Sequence, residues 1–256
     1  WDLTEKDFRF MMSLEPEGCF VALDKNKRIG LITTVSFDRV GWIGNVIVDA
    51  SVRSKGVGLL LVKHAMDYLA EKKVTTVGLY SYVNTVSFYK KLDFKSDNNF
   101  IRLVGQSSSA RHDAKCVRNM RESDLQDAID FDKLCMGWNR ERLLKKMFKS
   151  STDLCCVARE GNDLLGFVMA DRYRQEIGPL LNRPDQDEEA MLLLRVALGK
   201  LAGVEVRIGV SEKRARIIDA LMDMGFKEEF KVLRMYWGDW LEDKGCLLTM
   251  ESLERG

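Results

Sequence analysis

Two stretches of the chain carry the same succession of elements, and that repetition limits the fold more than any single motif. In the first, "GCFVALD" (18–24) and "RIGLITTVSFD" (28–38) read as strands joined by a Lys25-Asn26-Lys27 hairpin turn. A third strand, "GWIGNVIVD" (41–49), passes through a basic turn into a helix. On that helix Val57, Leu60, Leu61, His64, Ala65, Tyr68 and Leu69 recur at helical spacing. "VTTVGLYS", "TVSFYKKL" and "NFIRLVG" follow as strand, short helix and strand.

The order then recurs. "AKCVRNM" (114–120) reads as a strand and "SDLQDAIDFDKL" (123–134) as a helix with Ser123 as its expected cap. "DLCCVARE" and "LLGFVMADRY" repeat the hairpin across Gly161-Asn162-Asp163. "EIGPLL", "DEEAMLLLRVALGKLAG", "VEVRIGV", "ARIIDALMDMGF" and "VLRMYWG" repeat the rest. Between the two runs "GQSSSARHD" (105–113) is small and polar, the composition of a linker. The expected fold class is α/β with a mixed (α+β) sheet, in two tandem units. These are residues 1–105, a linker at 106–112, residues 113–240, and a tail at 241–256 that offers no signal. The first unit lacks the strand and most of the helix that open the second. Together with Trp1 in the first position, this is the pattern expected of an N-terminal truncation.

With 256 residues, 46% of them hydrophobic, the chain can build two ordinary cores. A formal charge of +1 gives no basic excess of the kind that nucleic acid or an anionic membrane surface selects, so neither is expected as a partner. No apolar run approaches the ~20 residues of a membrane span, and no secretory signal opens the sequence; the expected location is cytoplasmic. Six cysteines without a CxxC pair read as buried, reduced thiols. Only His64 and His112 could join them, so no metal site is expected. His64 lies in the apolar helical stripe and reads as a partly buried histidine. His112 belongs to the linker.

The turn "VDASVRSKGVG" (48–58) asks for a chemical reason, because joining a strand to a helix needs neither two basic residues nor two glycines. A helix N-terminus presents unpaired N–H groups and roughly half a positive charge. Gly56 and Gly58 would let an anion approach those groups closely. A pyrophosphate held by the 54–59 amides, with Arg53 fixing its approach, fits these residues; a plain connecting turn with surface basics is the alternative. GxxxxGK[ST] is absent, and Leu61 stands where GxGxxG would need its third glycine.

The hexad Arg53-Ser54-Lys55-Gly56-Val57-Gly58 matches RxxGxG, directly after a strand and opening a helix. It resembles the acyl-CoA signature of the GNAT superfamily of N-acetyltransferases, and "SFYKKLDF" (87–94) resembles that family's second signature, with Asp93 in the place of the usual glycine. The layout resembles tandem members, in which a divergent GNAT-like unit follows the first. The resemblance implies acetyl-CoA as co-substrate and direct transfer of its acetyl group to a primary amine of a small molecule or peptide. It implies cofactor contacts at Val46, Ile47 and Val48 of the splayed strand, along the loop from Arg53 through Ser54, Lys55, Gly56, Val57 and Gly58 to Leu59, and at Asn84 and Phe88. Tyr89 matches the family's tyrosine acid, or is a packing residue of its short helix. Asp38, Asp49, Glu176 and a water chain all remain open as the base. Trp42 and Trp138 are either pocket walls or core.

The corresponding turn of the second half, "GPLLNRPDQDEEA" (178–190), has no glycine after Leu181, and Pro184 removes a donor. Its acidic residues would repel a pyrophosphate, by about 4 kcal/mol for unit charges 4 Å apart at an effective dielectric near 20. One acyl-CoA site, on the first half, is the expectation. Two other readings stand beside the N-acetyltransferase: a different acyl donor or acceptor, and a non-catalytic acyl-CoA sensor or interaction protein.

Overall fold

The computed structural model describes residues 3–107, 116–184, 186–239 and 242–256. The first half runs α1 (Glu5–Leu14), β1 (Cys19–Asp24), β2 (Lys27–Phe37), β3 (Val40–Val48), α2 (Val57–Glu71), β4 (Thr76–Tyr82), α3 (Val86–Lys90) and β5 (Lys95–Gln106). The second opens with β6 (Val117–Asn119), α4 (Glu122–Met136) and α5 (Glu141–Ser150). It then repeats the series as β7 (Cys156–Glu160), β8 (Asp163–Asp171), β9 (Glu176–Asn182), α6 (Asp187–Lys200), β10 (Glu205–Ser211), α7 (Ala215–Asp223) and β11 (Lys227–Gly238). A short β12 (Leu247–Thr249) follows. Both halves build the mixed α/β arrangement expected of them.

All the strands join one sheet, ordered β1-β2-β3-β4-β11-β5-β10-β12-β9-β8-β7-β6. Its centre is an exchange. β11, from the second half, pairs antiparallel with β4 and β5, Val232 facing Tyr82 on one side and Phe100 on the other. β5, from the first half, lies in turn between β11 and β10, with Leu103 opposite Ile208. Each half's closing strand is thus laddered into the other half. One apolar cluster packs α2 and α3 on the first half and another packs α6 and α7 on the second. A third joins residues of both, including Met11, Trp42, Phe100, Leu143, Phe167 and Met250.

Each half contains one parallel pair that comes apart. β3 and β4 hold register only from Val40 opposite Thr76 to Trp42 opposite Gly78. Beyond that, a bulge opposite Ile32, with Asn45 at φ 51°, turns β3 away. β9 and β10 are bridged at a single position, Glu176 opposite Arg207. The first gap stays open, whereas β12 fills the second, with Leu247 opposite Leu181 and Thr249 opposite Val210.

The region read as a signal-less tail is therefore corrected. After β12, residues 250–252 and 254–256 are buried, and the segment crosses from the second half to the first, where the Trp42 indole N–H donates to Leu253 O (3.4 Å). The buried Arg140–Asp132 ion pair (2.6 Å) anchors it through Arg140, whose guanidinium also donates to Gly256 O (2.5 Å). Of the linker, Gly105 and Gln106 belong to β5, and 108–113, with His112, lie outside the described residues.

Three local readings also change. Leu60 faces outward, 66% exposed, and Val62 is buried instead. A buried face 100° wide cannot hold both Leu60 and the Leu61–Ala65–Leu69 row once the sheet has fixed that row. His64 is exposed and sets its ring edge-on to Phe20 at 4.5 Å, so it is not a buried histidine. α4 begins one residue before Ser123, and its cap is made by the Asp124 carboxylate accepting from Arg121 N (2.8 Å). α5 went unread because its charged residues mask an amphipathic face of Leu143, Leu144, Met147 and Phe148, all buried.

At Gly178 a Cβ would stand 1.8 Å from Met250 O, so any side chain there must dislodge the C-terminal segment. Gly178→Ala is expected to lower the thermal midpoint by roughly 3–8 °C, from about 1–3 kcal/mol of overpacking. An unchanged midpoint in a circular-dichroism melt would show that this segment is not seated between β9 and β10.

Candidate active site

The turn after β3 is built by local hydrogen bonds. Asp49 accepts from Ser51 N (2.9 Å) and Ser51 Oγ (2.6 Å), closing a 3-10 turn over Ala50–Val52. Those Ser51 bonds hold the Asp49 carboxyl below its ordinary range. The backbone then passes through φ 61° at Ser54 and φ 89° at Gly56, the N-cap of α2. A Cβ on Gly56 would find no atom within 4 Å, so the concavity over the helix start is open. Among the described residues no side chain caps α2, and its first N–H groups are left available to an anion. Arg53 folds back, its Nε donating to Val48 O (3.2 Å).

Two cavities meet where β3 and β4 diverge. The outer, about 820 Å³, runs along Val46, Ile47 and Val48 to Arg53, Ser54, Gly56, Gly58 and Leu59, and is closed by Asn84 and Phe88. The inner, about 310 Å³, is lined by Ile43, Gly44, Asn45, Tyr80, Arg102, Arg174, Arg207, Glu229, Phe230 and Glu254 among others. Val46, Tyr82, Thr85 and Tyr89 line both. From Ile43 onward β3 has no ladder partner on its β4 side, which leaves backbone groups free at the junction. Tyr89 sits there only 8% exposed, braced by Phe88 and Phe94, and burial pushes its phenol up to about 12. Asp93, at φ 64°, takes the left-handed conformation of the glycine it stands in for.

The inner cavity draws on both halves. Arg174, on the turn after β8, contacts Glu176 (2.8 Å), Glu254 (3.1 Å) and Asp7 (3.7 Å). Burial opposes its charge, but Glu254 and Glu176 outweigh that and hold the guanidinium above its usual range. Burial likewise opposes the Glu254 carboxylate, and Arg174 and Arg255 overcome it, leaving Glu254 ionised. Glu176 goes the other way: desolvation raises it despite Arg174 and Arg102.

Of the residues singled out from the sequence, the loop, strand and α3 positions converge on the outer cavity, except two. Lys55 is exposed and Val57 turns into the core of the first half; neither lines the cavity. Among the base candidates, Asp38 is exposed on the β2–β3 turn, Asp49 is engaged in its own turn, and Glu176 is paired with Arg102 (2.5 Å) and Arg174 (2.8 Å). None lines either cavity. Trp42 and Trp138 are core. Sequence reasoning missed Tyr82, Thr85, Arg102, Arg174, Arg207, Glu229 and Glu254. Strand alternation could have pointed to Tyr82; nothing local marks the others.

Comparison with known proteins identifies the family and the fold. Residues 2–94 match the profile described as "Acetyltransferase (GNAT) family" and residues 128–246 that of "Acetyltransferase (GNAT) domain". The chain belongs to the GNAT superfamily, as a tandem member with an acyltransferase fold in each half. It is 27% identical over 263 residues to a holothin acyltransferase of Pseudoalteromonas sp., covering all of this chain and 87% of that protein. Its fold is similar to that of a putative acetyltransferase from Pyrococcus horikoshii, at TM-score 0.81 and 21% identity over 97% of this chain and 84% of that one. It is also similar to a tandem GNAT protein from the clavulanic acid biosynthesis pathway, at TM-score 0.59 and 10% identity over 94% and 90% of the two chains.

Because burial disfavours the phenolate, Tyr89 stays protonated through the range where a free tyrosine ionises near 10. A labelled Cζ resonance of Tyr89 is expected to hold constant to about pH 11; a midpoint near 10 would place the ring in water.

Proposed function

We propose that this chain transfers an acetyl group from acetyl-CoA to a primary amine of a small molecule or peptide by direct attack. The acyl-CoA would lie in the outer cavity and the acceptor would enter the inner one. The observation that carries this reading is their junction: two cavities with otherwise different linings share Val46, Tyr82, Thr85 and Tyr89. The uncapped start of α2 and the open concavity over Gly56 suit a pyrophosphate. The diverging edge of β3 suits a pantetheine arm, and its free N–H groups suit the oxygen of a thioester under attack.

In this reading the neutral amine attacks the thioester carbonyl carbon, the C–S bond breaks, and the nitrogen's proton is released to solvent. Tyr89, neutral at physiological pH, donates a hydrogen bond to the departing sulfur. Asp38, Asp49 and Glu176 lie off both cavity walls; of the carboxylates that line the acceptor cavity Glu254 is held by Arg174, so the amine proton leaves through water or through Glu229. Support for one site per chain comes from the second half. Its gap between β9 and β10 is filled by β12, and Asp187, Glu188 and Glu189 crowd the start of α6. Free thiols at all six cysteines are consistent with a reducing, cytoplasmic setting. Among the described residues no helix is long and apolar enough to cross a membrane.

A wider acyl range is the second reading, favoured by the relative named for acyl rather than acetyl transfer. A binding-only sensor is separated from both by whether any amine releases CoA thiol.

Calorimetry with acetyl-CoA is expected to give one site per chain, with affinity lost by at least 100-fold in Gly56→Glu and lowered less in Gly56→Ala, whose methyl meets no atom but whose φ of 89° strains the loop. Two sites, or equal affinity in Gly56→Glu, would overturn the placement. Tyr89→Phe is expected to lower kcat by about 10- to 100-fold with little change in acetyl-CoA affinity. An unchanged kcat would leave Tyr89 as a packing residue only.

A further inference from the structure

The walls of the inner cavity carry more charge than transfer to a bare amine needs. Three arginines line it, Arg102, Arg174 and Arg207, against two glutamates, Glu229 and Glu254. Arg174 is saturated by its acidic neighbours. The other two are not. Arg102 reaches Glu176 with one terminal nitrogen (2.5 Å), but its buried Nε makes no hydrogen bond among the described residues, and Glu229 stands 3.5 Å away from it. Arg207 has a 3.4 Å contact with the exposed Glu205, an ion pair of the kind that contributes little. A guanidinium offers five donors in a fixed fork, and a buried donor left unmet is costly, so the Arg102 Nε calls for an acceptor atom from a ligand, while the partly exposed, weakly paired Arg207 is free to supply a second donor to it.

Glu176, behind this wall, pairs with Arg102 and Arg174, so the formal charges are close to balance and the acceptor sought is one for the Arg102 Nε and the outward fork of Arg207. A guanidinium fork matches a planar carboxylate in bidentate geometry. A phosphate dianion would meet stronger repulsion from Glu229 and Glu254 in the same wall. The volume, at the small end of ligand pockets, suits a compound of amino-acid size. Resting on the transferase reading above, we infer that the acceptor is a small amino acid: its carboxylate is held by Arg102 and Arg207, and its amine is turned toward Tyr89 and the free edge of β3. Arg102 comes from β5, Arg207 from β10 and Glu229 from β11, so selectivity for the acceptor depends on strands of both halves.

The test measures binding and turnover separately. The full chain, alone and saturated with a non-transferring thioether analogue of acetyl-CoA, is titrated calorimetrically with the twenty common amino acids, their carboxamides and the corresponding decarboxylated amines. At least one amino acid is expected to bind tenfold or more tightly than its carboxamide and its decarboxylated amine. Arg207→Gln, at a partly exposed position with a weak partner, is expected to bring that ratio to about one. A carboxamide bound as well as the acid, no binding across the set, or equal weakening of acid and amide by Arg207→Gln would each overturn the inference. CoA-thiol release on the same compounds keeps the two claims apart. Carboxylate-selective binding without release would uphold this inference and sink the transferase. Release without selectivity would do the reverse.

Discussion

The exchange of closing strands between the halves is the constraint on which the rest depends. β11 cannot pair with both β4 and β5, nor β5 with both β11 and β10, unless each half surrenders its last strand to the other. The backbone groups of these strands find their partners across the repeat, and an edge left unpaired in the middle of the sheet would expose a row of N–H and C=O groups. Ile101, Leu103, Val232 and Met235 on the exchanged strands are buried, so the apolar surface that stabilises each half is completed by residues of the other. The same crossing carries Arg102 to Glu176, and Glu229 and Phe230 to the cleft of the first half.

The two parallel pairs show how one topology gives a site in one half and a filled gap in the other. In both, the strands diverge after a short shared register. In the first half the gap opens onto a helix start with glycine at its cap, no side-chain cap and an open concavity. In the second, the helix start carries three acidic residues in its first turn, and the chain's own β12 occupies the gap. Charge and occupancy act in the same direction there, and each alone would disfavour a pyrophosphate.

The outer cavity was legible in the sequence because its parts are local. Arg53 to Leu59 lie on one turn and the first turn of α2, and Asn84, Phe88 and Tyr89 follow one strand later, so spacing and residue type suffice to group them. The inner cavity was not legible. Arg102, Arg174, Arg207, Glu229 and Glu254 are separated by up to 152 positions and stand on four strands or turns and the C-terminal segment. No periodicity links them. Glu254 in particular belongs to a stretch without hydrophobic pattern, and its burial arises only because Arg174, Arg255 and the close packing over Gly44 receive it.

The sequence by itself determined the repeated order of strands and helices, the basic glycine turn and its contrast with the acidic turn of the second half. Those follow from residue type and short-range spacing. The tertiary structure alone decided which half each closing strand joins, what fills the second gap, and which charges face the acceptor side. These depend on long-range ladder pairing, whose energy comes from strands far apart in the chain and leaves no mark on the spacing of neighbouring residues.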